Sequence, residues 1–246
     1  MKSIIILLLT SIPSFVFAQS IEKNLPSFSD VMIGPGINIE FIKSNAEKVY
    51  LVSTSELIHD LFIDVENGTL KIYFDHKDFS FDNDNTSPSH GKYSLNGTPY
   101  EHVKVYAKVY FVELNNIDFR GEEKLFCKDK INTNDFTLKS YGTGEIKLAE
   151  VNAMSLKIRA YGENEIKIIG GSVEEMKITC YGLNEINTQD LKSRTLKITS
   201  YGESELKVYA VESLNIKVIG EGSIQYAGDP KVKEFSLGEA TVSRLP

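Results

Sequence analysis

Between Leu114 and Tyr226 the apolar residues of this chain fall into columns. Rows set on Tyr141, Tyr161, Tyr181 and Tyr201, each followed by glycine, agree at a spacing of twenty residues. A further row follows at a spacing of eighteen on Ile219-Gly220, and a worn one precedes on Arg120-Gly121. Five positions before the tyrosine stand Phe136, Leu156, Met176, Leu196 and Leu214; three before stand Leu138, Ile158, Ile178, Ile198 and Ile216. Five after stand Ile146, Ile166, Ile186, Leu206 and Ile224; seven after stand Leu148, Ile168, Thr188, Val208 and Tyr226. Apolar positions alternating with period two are the mark of strands with one buried face. The Lys, Thr, Glu and Asn residues between them are expected to face water.

Two short strands per row, a glycine bend and a fixed period predict an all-β protein. Its main part is a β-solenoid, like a right-handed parallel β-helix, of about six coils of 18–21 residues. One coil cannot bury its apolar face alone, but stacked coils bury it against the same column above and below. The glycine column suits a corner where a side chain would clash or where φ is positive. The small column before the tyrosines (Ser140, Ala160, Cys180, Ser200) fits the inside of that corner.

The N-terminal third is strand-like without the repeat, in GINIEFIKS, KVYLVST, LFIDVENGTLKIYF and HVKVYAKVYFVEL. Asn67-Gly68 between apolar runs predicts a tight hairpin. The polar stretch 76–99, rich in Asp, Asn, Ser and Gly, reads as a long loop. The expected organisation is an export signal over 1–18, an N-terminal β region over 19–100 and the repeat solenoid over 101–237. EFSLGEATVSRLP is expected to close the last coil.

The first eighteen residues carry Lys2, an apolar run from Ile4, and Val16-Phe17-Ala18, with cleavage expected before Gln19. The apolar run is too short and interrupted for a membrane span. No later segment is apolar enough to be one, so no transmembrane segment is expected after cleavage. The whole chain has 27 Lys and Arg against 34 Asp and Glu, a net charge of −7, and −8 without Lys2. That balance argues against nucleic acid, whose binding rests on clustered cations. Cys127 and Cys180 fall in different columns several coils apart, so both are expected as free buried thiols. The four His residues form no ligand pair, and Asp82-Asn83-Asp84-Asn85 lacks the ligand spacing of a calcium loop. No metal or cofactor is expected.

The candidate binding surface is the tyrosine column, Tyr141, Tyr161, Tyr181 and Tyr201, with the carboxylate column Glu145, Glu165, Glu185 and Glu205 beside it. The tyrosines are expected outside, stacked about 4.8 Å apart. They would form either a stiffening ladder or a flat aromatic strip for sugar rings or a partner protein. The Glu column is expected to be balanced by lysine columns two residues away (Lys147, Lys167, Lys207). No catalytic residue is assigned. Paired carboxylates need distinct pKa values, and identical rungs give no reason for one acid and one base.

Gly36-Ile37-Asn38 within GINIEF, then VENGTLKIYF, the repeated x-G-x-x-E-I units and GSIQYAGDP resemble the putative auto-transporter adhesin, head GIN domain family. The resemblance covers about 31–232. It implies an exported protein of a family common in Bacteroidetes-type bacteria, β-helical, of unassigned function, with adhesion suggested by the family's name. The family's usual Ser-Gly-Ser-Gly corner is replaced here by Tyr-Gly, and the 76–99 loop is longer than usual. With no barrel-like or sorting segment before Pro246, the chain is not expected to be a complete autotransporter.

The sequence therefore points to a non-catalytic envelope or surface protein, periplasmic, on the outer membrane or extracellular. It would bind glycan or an envelope or surface protein through an extended face. The alternatives are a purely structural periplasmic scaffold and a polysaccharide-processing enzyme on a β-helix.

Overall fold

The computed structural model describes residues 18–75 and 95–245. The expected export signal, apart from Ala18, and positions 76–94 of the expected loop lie outside the described residues. So does Asp82-Asn83-Asp84-Asn85.

The N-terminal part contributes β1 (Gln19–Asn24), β2 (Asp30–Ile33), β3 (Ile37–Lys43), β4 (Lys48–Ser53), β5 (Leu61–Glu66), β6 (Thr69–Phe74) and β7 (Val105–Phe111). A short 3-10 turn, Glu56–Asp60, separates β4 from β5. The repeats supply β8 (Asn116–Gly121), β9 (Lys124–Asn132) and β10 (Asp135–Gly142). From there strand pairing runs through the corners. β11 extends over Glu145–Ile168 and β12 over Gly171–Ala227, before β13 (Lys231–Leu237) and β14 (Ala240–Arg244).

Rungs stack in parallel and in register at the spacing read from the sequence. Phe136 lies on Leu156 and Leu156 on Met176; Tyr141 lies on Tyr161 and Tyr161 on Tyr181. The N-terminal strands continue the same stack, with β2 on β8 and β3 on β9, both parallel. Antiparallel additions then finish that end: β5 on β6, β4 on β7 and β1 on β4. The hairpin between β5 and β6 turns on Asn67 and Gly68 at φ 51° and 76°, the positive pair that a two-residue turn of this twist requires.

The solenoid has about six coils. Its core is the set of inward columns, and Leu138, Ile158, Ile178, Ile198, Leu148 and Val208 are fully buried. Cys127 and Cys180 are buried free thiols, and burial pushes both upward, Cys127 to about 12. One inward position breaks the pattern. Thr188 is buried and its Oγ1 has no hydrogen-bond partner among the described residues. A buried orphan hydroxyl costs on the order of 1–3 kcal/mol. Thr188→Val should therefore raise the unfolding free energy by about 1 kcal/mol, read from urea denaturation.

At the last coil, β13 and β14 pair with β12 alone. Val232, Glu234 and Ser236 are in register with the buried Leu214, Ile216 and Val218. Ser236 Oγ donates to Glu234 Oε1 at 2.7 Å. An exposed carboxylate and hydroxyl continuing the inward columns disfavour stacking another apolar coil there, a common protection of an open sheet edge.

Glu123 stands at the first glycine corner, where its carboxylate accepts the Glu122 N–H at 3.0 Å. Burial raises its carboxyl pKa, opposed by hydrogen bonds from backbone N–H groups. A raised folded pKa means the folded state holds this proton more tightly than the unfolded chain. Its contribution is best below the usual carboxylate range and is lost as pH rises through the folded value. Glu123→Gln should therefore melt above the native chain at neutral pH. That difference should close near pH ~4, a trend that paired thermal melts across pH would read.

Candidate functional site

The tyrosine corner is built from the backbone outward. Gly142 lies on Gly121 and Gly162 on Gly142, all with positive φ. A Cβ at Gly162 would stand 2.3 Å from the Gly142 carbonyl oxygen. The rungs therefore approach so closely at this corner that only glycine fits.

On the outside, the four tyrosine rings stack directly on one another. Centroids are 4.9, 5.1 and 4.7 Å apart and ring planes lie within 4–9° of parallel. Both ends of the stack carry a cation. The Arg120 guanidinium lies 5.4 Å from the Tyr141 centroid and Lys217 Nζ lies 5.8 Å from that of Tyr201. Arg120 is fixed by the buried Asp118, Nε to Oδ1 at 2.7 Å and Nη2 to Oδ2 at 3.2 Å. Each ring face is thus covered by another ring or a cation, as π faces prefer. Sugar stacking on ring faces therefore has no open face along the column, which presents ring edges and hydroxyls. Tyr141, Tyr161 and Tyr201 are half-buried, and Tyr181 is 40% exposed. Burial first, then Tyr201 and Tyr161, push the Tyr181 phenol up, so it stays a donor at neutral pH.

Behind the rings is a row the sequence pattern missed. Asn164 and Asn184, three positions after their tyrosines, are buried rather than water-facing. Asn164 Nδ2 donates to the Tyr161 carbonyl at 3.2 Å and to Asn184 Oδ1 at 3.0 Å. Asn184 Nδ2 donates to the Tyr181 carbonyl at 3.0 Å, and Ser140 Oγ to Asn164 Oδ1 at 2.6 Å. A backbone carbonyl has two lone pairs, and each of these corner carbonyls takes a side-chain donor. The amide supplies it. In the next coil the same place is held by Ser204, which accepts from Ser200 at 2.8 Å.

The carboxylate column differs from its expectation. Glu145 pairs with Lys124. Glu165, Glu185 and Glu205 are exposed and have no cation within 4.0 Å among the described residues. Compensation from Lys147, Lys167 and Lys207 is therefore not made by contact. In solvent such a pair contributes little in any case, and screening suffices.

At the opposite corner, where each coil passes to the next, a groove of about 750 Å³ runs across the turns 132–135, 152–154 and 172–174. Asn132 and Asn152 are in register there, and Asn152 Nδ2 donates to Asn132 Oδ1 at 3.3 Å. Nothing in the apolar columns signalled it.

A family model described as "Putative auto-transporter adhesin, head GIN domain" matches residues 27–230. The chain belongs to the head GIN domain family. No curated protein matches it. Solved structures give the fold. A putative adhesin from Bacteroides fragilis superposes with TM-score 0.76 at 18% identity, over 93% of this chain and 97% of that one. One from Parabacteroides merdae gives 0.69 at 13%, over 93% and 96%. A protein from Parabacteroides distasonis described as a putative lipid binding protein gives 0.63 at 19%, over 93% and 97%. At these identities the likeness shows the β-solenoid with its strand-rich N-terminal part, and no ligand. Membership in the head GIN family suggests an adhesin-like role at a cell surface, which the local geometry has to make specific.

Proposed function

We propose that this head GIN protein is an exported, non-catalytic envelope or surface protein. It binds glycan or a surface protein along the face carrying Tyr141, Tyr161, Tyr181 and Tyr201 and the neighbouring Glu145, Glu165, Glu185 and Glu205. The observation that carries this reading is the regular ladder of tyrosine edges, 4.7–5.1 Å apart on a rigid stack. It offers the same weak polar contact several times over, and such contacts multiply when they are held together. Contact is by hydroxyl and carboxylate hydrogen bonds, since the ring faces are occupied.

A scaffold role is the second reading, supported by the half-burial of three of the four rings. Protein beginning at Gln19 should be tested against outer-membrane and cell-wall fractions, neutral and acidic glycans, and surface proteins. Binding that tightens with immobilisation density is expected. Folded protein that binds nothing would leave the scaffold, and release of reducing ends or unsaturated products would make it an enzyme.

A further inference from the structure

We propose that the groove at the second corner is a separate binding site for neutral oligosaccharide. The proposal rests on the adhesin-like reading but not on the tyrosine face. The groove occupies about 750 Å³, within the roughly 300–1,000 Å³ usual for ligand sites. Its lining is chemically selective. Asn115, Asn132, Asn134 and Asn152 bring four amides, Thr133 and Ser172 bring hydroxyls, and the charged side chains are the carboxylates of Glu113, Asp135 and Glu174. Among the described residues no Lys, Arg or His lines it, which disfavours a phosphate, sulfate or uronate. Amides both donate and accept while carboxylates accept, and this set matches the hydroxyls of a sugar, each of which also does both.

Part of the lining is already committed and serves as the frame. Asn152 Oδ1 accepts the Ser172 N–H at 3.1 Å, and Asn115 Nδ2 donates to Glu113 Oε1 at 2.9 Å. Glu174 is held by Arg194 at 3.4 Å, which in turn pairs with Glu212 at 2.8 Å. The side chains of Asn134 and Asp135 have no hydrogen-bond or ion-pair partner among the described residues and are exposed. They are the groups left for a ligand. Met154, 59% exposed in the same lining, gives an adaptable apolar surface for the C–H face of a sugar ring. Asn132 and Asn152 lie on adjacent rungs in register, so the polar groups repeat along the groove. A short oligomer is favoured over a monosaccharide.

The test is calorimetric titration of the protein from Gln19 onward with neutral tri- to hexasaccharides of hexose and N-acetylhexosamine, and with an oligogalacturonate of equal length. It is repeated on Asn134→Ala/Asp135→Ala and on Met154→Arg. Both variants alter exposed side chains and should keep the native melting temperature. The expected result is binding of a neutral oligomer, no binding of the uronate, and at least about tenfold weaker binding in both variants: in the first from the loss of one or two hydrogen bonds to a charged or amide group, in the second from replacing the apolar contact by a long charged side chain. No neutral binding at millimolar oligosaccharide, undiminished binding in the variants, or preference for the uronate would overturn it. Envelope binding carried by the tyrosine face should survive both groove variants, so the two readings fail separately.

Discussion

Gly162→Ala is expected to cost about 2–6 kcal/mol, a large share of the roughly 5–15 kcal/mol that holds a typical domain folded. Two independent penalties meet at this position. The residue sits at φ +107°, where a non-glycine residue costs about 1–3 kcal/mol. The new methyl would stand 2.3 Å from the Gly142 carbonyl oxygen, and making room inside a packed structure costs about 1–3 kcal/mol more. The obstacle is the backbone of the neighbouring rung, which cannot rotate away as a side chain could. Gly170→Ala is the control. Its nearest contact would be the Ala149 carbonyl at an ordinary 3.6 Å and its φ is unexceptional, so it should unfold like the native chain. Urea denaturation of the two variants side by side reads the difference.

Replacing all four ladder tyrosines with serine has the second largest expected effect. Three stacked pairs at about 0.5–1.5 kcal/mol each give a loss of roughly 2–4 kcal/mol, before the burial of the rings is counted. The guanidinium of Arg120 and the Lys217 ammonium lose their ring partners as well. Asp118 still holds Arg120, so the first corner should keep its shape. A melting temperature lowered by many degrees, with a native-like far-UV spectrum at low temperature, is the expected reading. An unchanged melting temperature would mean the stack contributes nothing to stability.

Much of this fold is legible in the sequence, and the reasons are local. A parallel stack repeats its own register, so Phe136, Leu156 and Met176 had to share a column once the tyrosines did. Illegible features are those in which a polar residue takes an inward place. Asn164 and Asn184 looked water-facing because their type hides their direction; their place behind the corner, within reach of the Tyr161 and Tyr181 carbonyls, accounts for them. The coil formed by β13 and β14 repeats the eighteen-residue spacing at Leu237-Gly238, but the exposed Glu234 and Ser236 in the inward columns disguise it. Column spacing gave the distance between tyrosine rings but not the cations at the two ends of the stack, which close the outer faces. The parallel places of β2 and β3 carry no repeat to reveal them. The groove at the second corner depends on how successive turns fold back, which no column records.

The tyrosine face can be separated into its stacking and its hydroxyls by one variant, Tyr141→Phe, Tyr161→Phe, Tyr181→Phe and Tyr201→Phe together. Its rings can stack as before, and only the four phenolic hydroxyls are gone. Binding to the envelope fraction that holds the native protein should be measured beside its melting temperature. The proposed contact predicts a melting temperature close to native and binding weakened at least about tenfold, since each lost hydroxyl removes a hydrogen bond of about 0.5–1.5 kcal/mol. Native melting with undiminished binding would contradict it and leave the ladder a structural feature of the coil.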